Sequence, residues 1–123
     1  MVRVKDLLKS FSHACRGVKT LIKDEQSFRL QILAALVVGV FLIIFPLSVF
    51  EIIIVLLLVV LVLVLEMINS IFERLVDTFK PRIHPVVGEI KDIMAATVLI
   101  ASLFAAVIGV IIFLPHFLNL LVG

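Results

Sequence analysis

Three stretches without a charged residue set the pattern of the chain: Leu30 to Phe50, Ile52 to Leu65 and Ile93 to Leu114, of 21, 14 and 22 residues. At 1.5 Å per residue, the first and third each reach about 30 Å, the thickness of a bilayer's hydrocarbon core. The middle one reaches only about 21 Å, so it spans only if its helix continues through Glu66 and Asn69 to about Phe72. The pattern predicts three transmembrane helices, over about 30–50, 52–72 and 93–114, the second of which turns polar before it leaves the membrane. Upstream, Leu7, Leu8, Phe11, Ala14, Cys15, Val18, Leu21 and Ile22 recur at helical spacing, with Lys5, Lys9, Arg16, Lys19 and Lys23 near the opposite side. This predicts an amphipathic helix over about 3–23 on the membrane surface. It would be held by apolar burial and by about 1 kcal/mol per basic residue from anionic lipid. Packing of that helix on the protein itself is compatible with this. The one extended loop expected is "TFKPRIHPVV", residues 78–87, punctuated by Pro81 and Pro85.

Composition agrees with the pattern. The chain has 123 residues, enough for one domain, and is 63% hydrophobic and 16% charged. A soluble domain is nearer half apolar, so the class is an all-α integral membrane protein. The single cysteine, Cys15, excludes an intrachain disulfide and a CxxC metal site. The first twenty residues lack a continuous apolar core, so no cleavable signal peptide is expected. Every Lys and Arg lies either before the first span (Arg3, Lys5, Lys9, Arg16, Lys19, Lys23, Arg29) or between the second and third (Arg74, Lys80, Arg82, Lys91). The positive-inside rule then puts the N-terminus and the second loop in the cytoplasm and the C-terminus outside. Neither GxxxxGK[ST] nor GxGxxG occurs, which excludes the two common phosphate-binding loops.

The candidate chemistry lies where the second span ends. On a helix with Glu66 at zero, Asn69 falls at about −60°, Ser70 at +40°, Glu73 at −20° and Asp77 at +20°, a single face climbing about 16 Å. A carboxylate near the bilayer centre costs about 2.5–3.5 kcal/mol, somewhat less near the edge, so it ordinarily faces protein or a polar cavity. Glu25 in "DEQSFR" and Lys91–Asp92 ahead of the third span fall at the same cytoplasmic level. Glu25 and Glu73 are hard-oxygen ligands suited to Mg²⁺, which takes one or two carboxylates and completes its octahedron with phosphate oxygens and water. Lys91 can neutralise phosphate. Glu66, about two turns deeper than Glu73, can accept a proton from a hydroxyl at headgroup depth. The plain alternative is a set of solvated charges in local pairs: Glu25–Arg29, Glu73–Arg74 and Lys91–Asp92. It gives no reason for the depth of Glu66. His13 and His84 read as solvated, and Met67 and Met94 as packing.

These segments carry a resemblance. "EMINSIFERLVD" resembles the E-x-x-N-[ST]-x-x-E-x-x-x-D signature of the small bacterial integral-membrane lipid kinases, the diacylglycerol and undecaprenol kinases. "DEQSFR" and "GEIKDIMAATVLI" resemble that family's N-E-x-x-F-R and K-D-M/I-x-A-A-x-V-L-I segments, and the likeness covers about residues 6 to 121. It implies a homotrimeric phosphotransferase of the bacterial plasma membrane with sites shared between neighbouring chains. Its substrates would be MgATP and a lipid alcohol, with no role for nucleic acid. Glu66 would be the general base, with Asn69 beside it. Glu25 and Glu73 would bind Mg²⁺ and nucleotide. Lys91, Asp92, Asp77 and His13 would complete the nucleotide side. Departures are Gln31 for a usual Glu or His, Asp24 for Asn, His13 for an aromatic, and differences at Glu89 and Met94. The tail "GVIIFLPHFLNLL", the "SVFE" turn and the lack of Trp resemble the undecaprenol kinases, so undecaprenol is the expected substrate and diacylglycerol the alternative. From a different class, a proton-coupled exporter using Glu66 is disfavoured because the other acids sit at one rim rather than across the membrane. A scaffold without chemistry leaves the acidic face unexplained.

Overall fold

The computed structural model describes residues 1–79 and 85–123, in four helices: α1 (Val4–Asp24), α2 (Gln26–Ile44), α3 (Val49–Thr78) and α4 (Pro85–Val122). The last three are long and apolar enough to cross a membrane. Lys80, Pro81, Arg82 and His84 of the expected loop lie outside the described residues.

Helix ends differ from the charge-free runs, and local backbone chemistry gives the reason. The first run, 30–50, is not one helix. Pro46 drives the residue before it out of the α region, and Phe45 is extended at φ −86°, ψ 144°. Ser48 then starts α3 with a reciprocal cap: its hydroxyl accepts from the Glu51 N–H at 3.2 Å, and its own N–H donates to Glu51 Oε1 at 3.0 Å. Val49 and Phe50 therefore belong to α3. At the other end of α2, the helix begins at Gln26, straight after the single extended residue Glu25. The spans expected over 52–72 and 93–114 are the apolar middles of longer helices, because a helix need not stop where hydrocarbon does. Pro85 opens α4 from a position that needs no backbone N–H. Pro115 lies inside α4, which continues to Val122.

α3 is the central element: α4 packs along it, α2 packs on its other flank, and α1 touches α2. Two polar contacts fix the antiparallel α3–α4 register. Lys91 meets Asp77 at one end, and His116 meets Glu51 at the other. Near the second contact, Val55, Ile112 and Phe113 are buried against Val38, Phe41 and Phe45. Phe41 meets Phe113 and Phe117 edge-on at 5.5 and 5.3 Å, and Phe45 meets Phe117 at 4.8 Å, the geometry aromatic quadrupoles favour. Toward the opposite end α2 and α4 stand apart, leaving an apolar cleft of about 510 Å³ floored by α3. Most large apolar side chains are exposed on the single chain, including Ile43, Leu57 and Phe104 in the spans and Leu7, Leu8 and Phe11 on α1. Surfaces of that extent suit lipid or further protein rather than water.

Candidate functional site

Among the described residues, Glu66 and Ser70 are the buried polar ones, 4% and 1% exposed. They lie one turn apart on α3, so the depth read from the sequence is matched by burial against protein. Asn69 donates through Nδ2 to Glu73 Oε1 at 3.4 Å, a long and weak contact. Its Oδ1 and the Ser70 hydroxyl are buried with no hydrogen-bond partner among the described residues. Orphaned buried polar atoms are rare in folded proteins and ask for a partner from elsewhere.

The break at Glu25 brings a second element to this face. α1 ends and α2 begins at that residue, and the Arg29 guanidinium caps α1 by donating to the carbonyls of Ile22 and Lys23, both at 2.9 Å. Arg74 reaches from α3 to the same corner, 3.5 Å from Asp24 and 3.6 Å from Glu25. Glu25 and Glu73 both lie close enough to Glu66 for like-charge repulsion. A third element adds Lys91, whose ammonium is 2.6 Å from Asp77 Oδ1 and within the electrostatic reach of Glu73. Glu25, Glu66, Asn69, Glu73, Asp77 and Lys91 therefore converge at one end of the helix bundle.

Among the described residues, the ion pairs are not the local ones that the plain alternative required. Arg29 goes to backbone, Arg74 to the α1–α2 corner, and Lys91 to α3. Two expected site residues lie apart from the cluster. Asp92 is exposed, about 100° around α4 from Lys91. His13 sits on the exposed surface of α1, about 18 Å along the helix from Glu25. Arg74 is the cluster residue that sequence reasoning did not propose. Its signal was its place on the turn of Glu73, facing the acidic pair Asp24–Glu25 across a helix boundary.

The donor set suits a hard divalent cation in a limited way. Among the described residues, no group of three or more His, Cys, Asp or Glu could hold an ion by itself. Two carboxylates, Glu25 and Glu73, and the orphaned Asn69 oxygen are the ligand type and number that Mg²⁺ uses when phosphate and water supply the rest.

A family model described as prokaryotic diacylglycerol kinase matches residues 12–113. The undecaprenol kinase of Bacillus subtilis is 34% identical over 107 residues, 87% of each chain. The diacylglycerol kinase of Synechocystis is 30% identical over 118 residues, covering 95% of this chain and 67% of that one. The Escherichia coli K12 diacylglycerol kinase is 27% identical over 111 residues, covering 90% and 91%. With the acidic face of α3, the Glu25 corner and three apolar helices in place, the chain belongs to the prokaryotic diacylglycerol kinase family of bacterial membrane proteins.

Proposed function

We propose that this protein is an ATP- and Mg²⁺-dependent lipid kinase that phosphorylates the hydroxyl of a membrane lipid alcohol, undecaprenol in preference to diacylglycerol. The observation that carries the reading is Glu66: a carboxylate 4% exposed, within an apolar helix, facing a rim of charged groups from three elements. The lipid arrives from the bilayer side and the nucleotide from the charged rim. Glu66 accepts the hydroxyl proton, the lipid oxygen bonds to the γ-phosphorus, and the phosphorus–oxygen bond to ADP breaks. Lys91 offsets phosphate charge once it exchanges Asp77 for the nucleotide, and Asp77 and Asp92 border that position. Glu25 and Glu73 would hold Mg²⁺, which when bound neutralises charge on the phosphates. His13 acts only if α1 or a neighbouring chain carries it toward the nucleotide. Positioning supplies much of the rate in such transfers.

Assembly as a homotrimer with shared sites is supported by the exposed apolar faces and by the orphaned Asn69 and Ser70 atoms, which a second chain can meet. The Lys and Arg distribution supports a cytoplasmic N-terminus and site and an outer C-terminus. Uncovered apolar residues on α1 support its lying on the cytoplasmic leaflet. The Bacillus subtilis relative and the Pro-containing apolar tail support undecaprenol as the preferred alcohol. Purified protein in mixed micelles, given Mg²⁺-ATP with undecaprenol or 1,2-dioleoylglycerol, tests this directly. Phosphorylation of both, with the higher kcat/KM on undecaprenol, is expected. A tenfold preference for dioleoylglycerol reverses the lipid assignment, and failure on both removes the kinase reading.

A further inference from the structure

A hydroxyl inside a helix ordinarily satisfies itself on the carbonyl four residues back. Thr20, Thr78 and Thr97 do so, donating to Arg16, Arg74 and Ile93 at 2.9, 2.8 and 2.9 Å. Ser102 does not. Its Oγ is buried and has no hydrogen-bond partner among the described residues. The side chain stands in the wall of the cleft between α2 and α4, where Gln31 is the other polar residue in an otherwise apolar lining.

The helix register gives Ser102 a definite level. Lys91 meets Asp77 across the α3–α4 pair. Eleven residues onward along α4 is Ser102, and eleven back along α3 is Glu66. Eleven residues make three turns plus about 20°, so each pair of positions shares one face of its helix. His116 meets Glu51 at the far end, 25 residues along α4 against 26 along α3, so the axial level is kept along the pair. By this register Ser102 falls at the level of Glu66, about 16 Å along the helices from the Lys91–Asp77 contact. The Ser102 hydroxyl has no hydrogen-bond partner among the described residues, so it is open to a further group. Beyond this level the cleft continues past Val62 and Ala105 to Phe113 without another polar side chain.

We propose that Ser102 binds the acceptor alcohol: its O–H donates to the lipid's hydroxyl oxygen while that hydroxyl donates to Glu66. The proposal rests on the reading of Glu66 as the base. Held from two sides, the oxygen keeps one lone pair for the γ-phosphorus. As the new oxygen–phosphorus bond forms and the bond to ADP breaks, the hydroxyl proton passes to Glu66, and Ser102 keeps its own. The hydrocarbon leaves this point along the apolar cleft. Because the contact is to the hydroxyl, it serves any primary lipid alcohol and does not select among them.

The test compares Ser102→Ala and Ser102→Thr with the unmodified full chain in mixed micelles, using Mg²⁺-ATP with undecaprenol or 1,2-dioleoylglycerol. Thr97→Ala is the control, since that hydroxyl is already satisfied within its helix. Ser102→Ala should lower kcat/KM about tenfold for both lipids, the scale of losing one buried hydrogen bond. It should leave the KM for ATP unchanged and the Tm unchanged or raised, because an unpartnered hydroxyl is removed. Ser102→Thr should recover most of the loss, and Thr97→Ala should change nothing. Unchanged lipid kinetics in Ser102→Ala overturn the proposal. So does a loss confined to dioleoylglycerol, which would put the serine at an ester carbonyl, and so does a fall in Tm with a raised ATP KM, which would make it a packing residue. Glu66→Gln separates the two readings. If that variant turns over normally the base assignment fails. If it is inactive while Ser102→Ala is normal, only the role of Ser102 falls.

Discussion

The two ends of the α3–α4 pair are built from similar parts and put them to different uses. At the end near Pro46, Glu51 is fully engaged: one carboxylate oxygen accepts from the Ser48 backbone, and the other lies 3.6 Å from His116. The imidazole also lies beside Phe45, with 5.8 Å between ring centroids, at the edge of the aromatic cluster. At the Glu66 end a carboxylate, an amide oxygen and a hydroxyl of α3 are buried, and the last two have no partner among the described residues. Satisfied polar groups specify a structure, and unsatisfied ones are kept where something else must bind. By that criterion the Glu51 end is a fastening and the Glu66 end is the candidate site.

Substitutions at the two ends should differ in kind. The largest effect is expected from Glu66→Gln, which keeps the shape of the side chain and removes its basicity. Turnover should fall by roughly 100- to 10,000-fold, the range of general-base contributions, with assembly unchanged by size-exclusion chromatography. Near-normal turnover would mean the base lies elsewhere. A smaller loss is expected from Glu25→Gln and Glu73→Gln. Titrating Mg²⁺ and ATP separately should show both requirements raised alongside a lower rate, because ligands for the metal are lost. A change in rate alone, at unaltered Mg²⁺ dependence, would reassign them to positioning. The smallest effect on catalysis is expected at the Glu51 end. Glu51→Ala removes both its half of the helix cap and its contact with His116. The Tm should fall by several degrees while kcat/KM stays within about twofold. A tenfold loss of activity there would erase the contrast between the ends.

The spans were legible because hydrocarbon imposes a simple rule: about twenty apolar residues without a charge. Their ends were not, because the same rule is blind to turns made of apolar residues. Pro46 and the Ser48–Glu51 cap carried that information in a different code, one of backbone conformation. The acidic face of α3 was legible for a related reason, since a single helix fixes the angles among Glu66, Asn69, Glu73 and Asp77. What could not be read was anything between helices. Arg74 reaching Asp24 and Glu25, Lys91 reaching Asp77, and the level that Ser102 shares with Glu66 all depend on how the helices pack. His13 shows the same limit from the other side: a motif position fixes a place along α1, not a direction in space.

α2 differs from the other two spans in having no slack. Its 19 residues make a rod of about 28 Å, against about 45 Å for α3 and 57 Å for α4. It is bounded by a one-residue break at Glu25 and by the turn at Pro46. The longer helices can meet a thicker or thinner bilayer by shifting which part of them is immersed. α2 cannot, so its length acts as a gauge, and the level of Glu25 relative to the hydrocarbon follows the membrane's own thickness. Hydrophobic mismatch thus bears on the Glu25 corner before it bears on any other part of the candidate site.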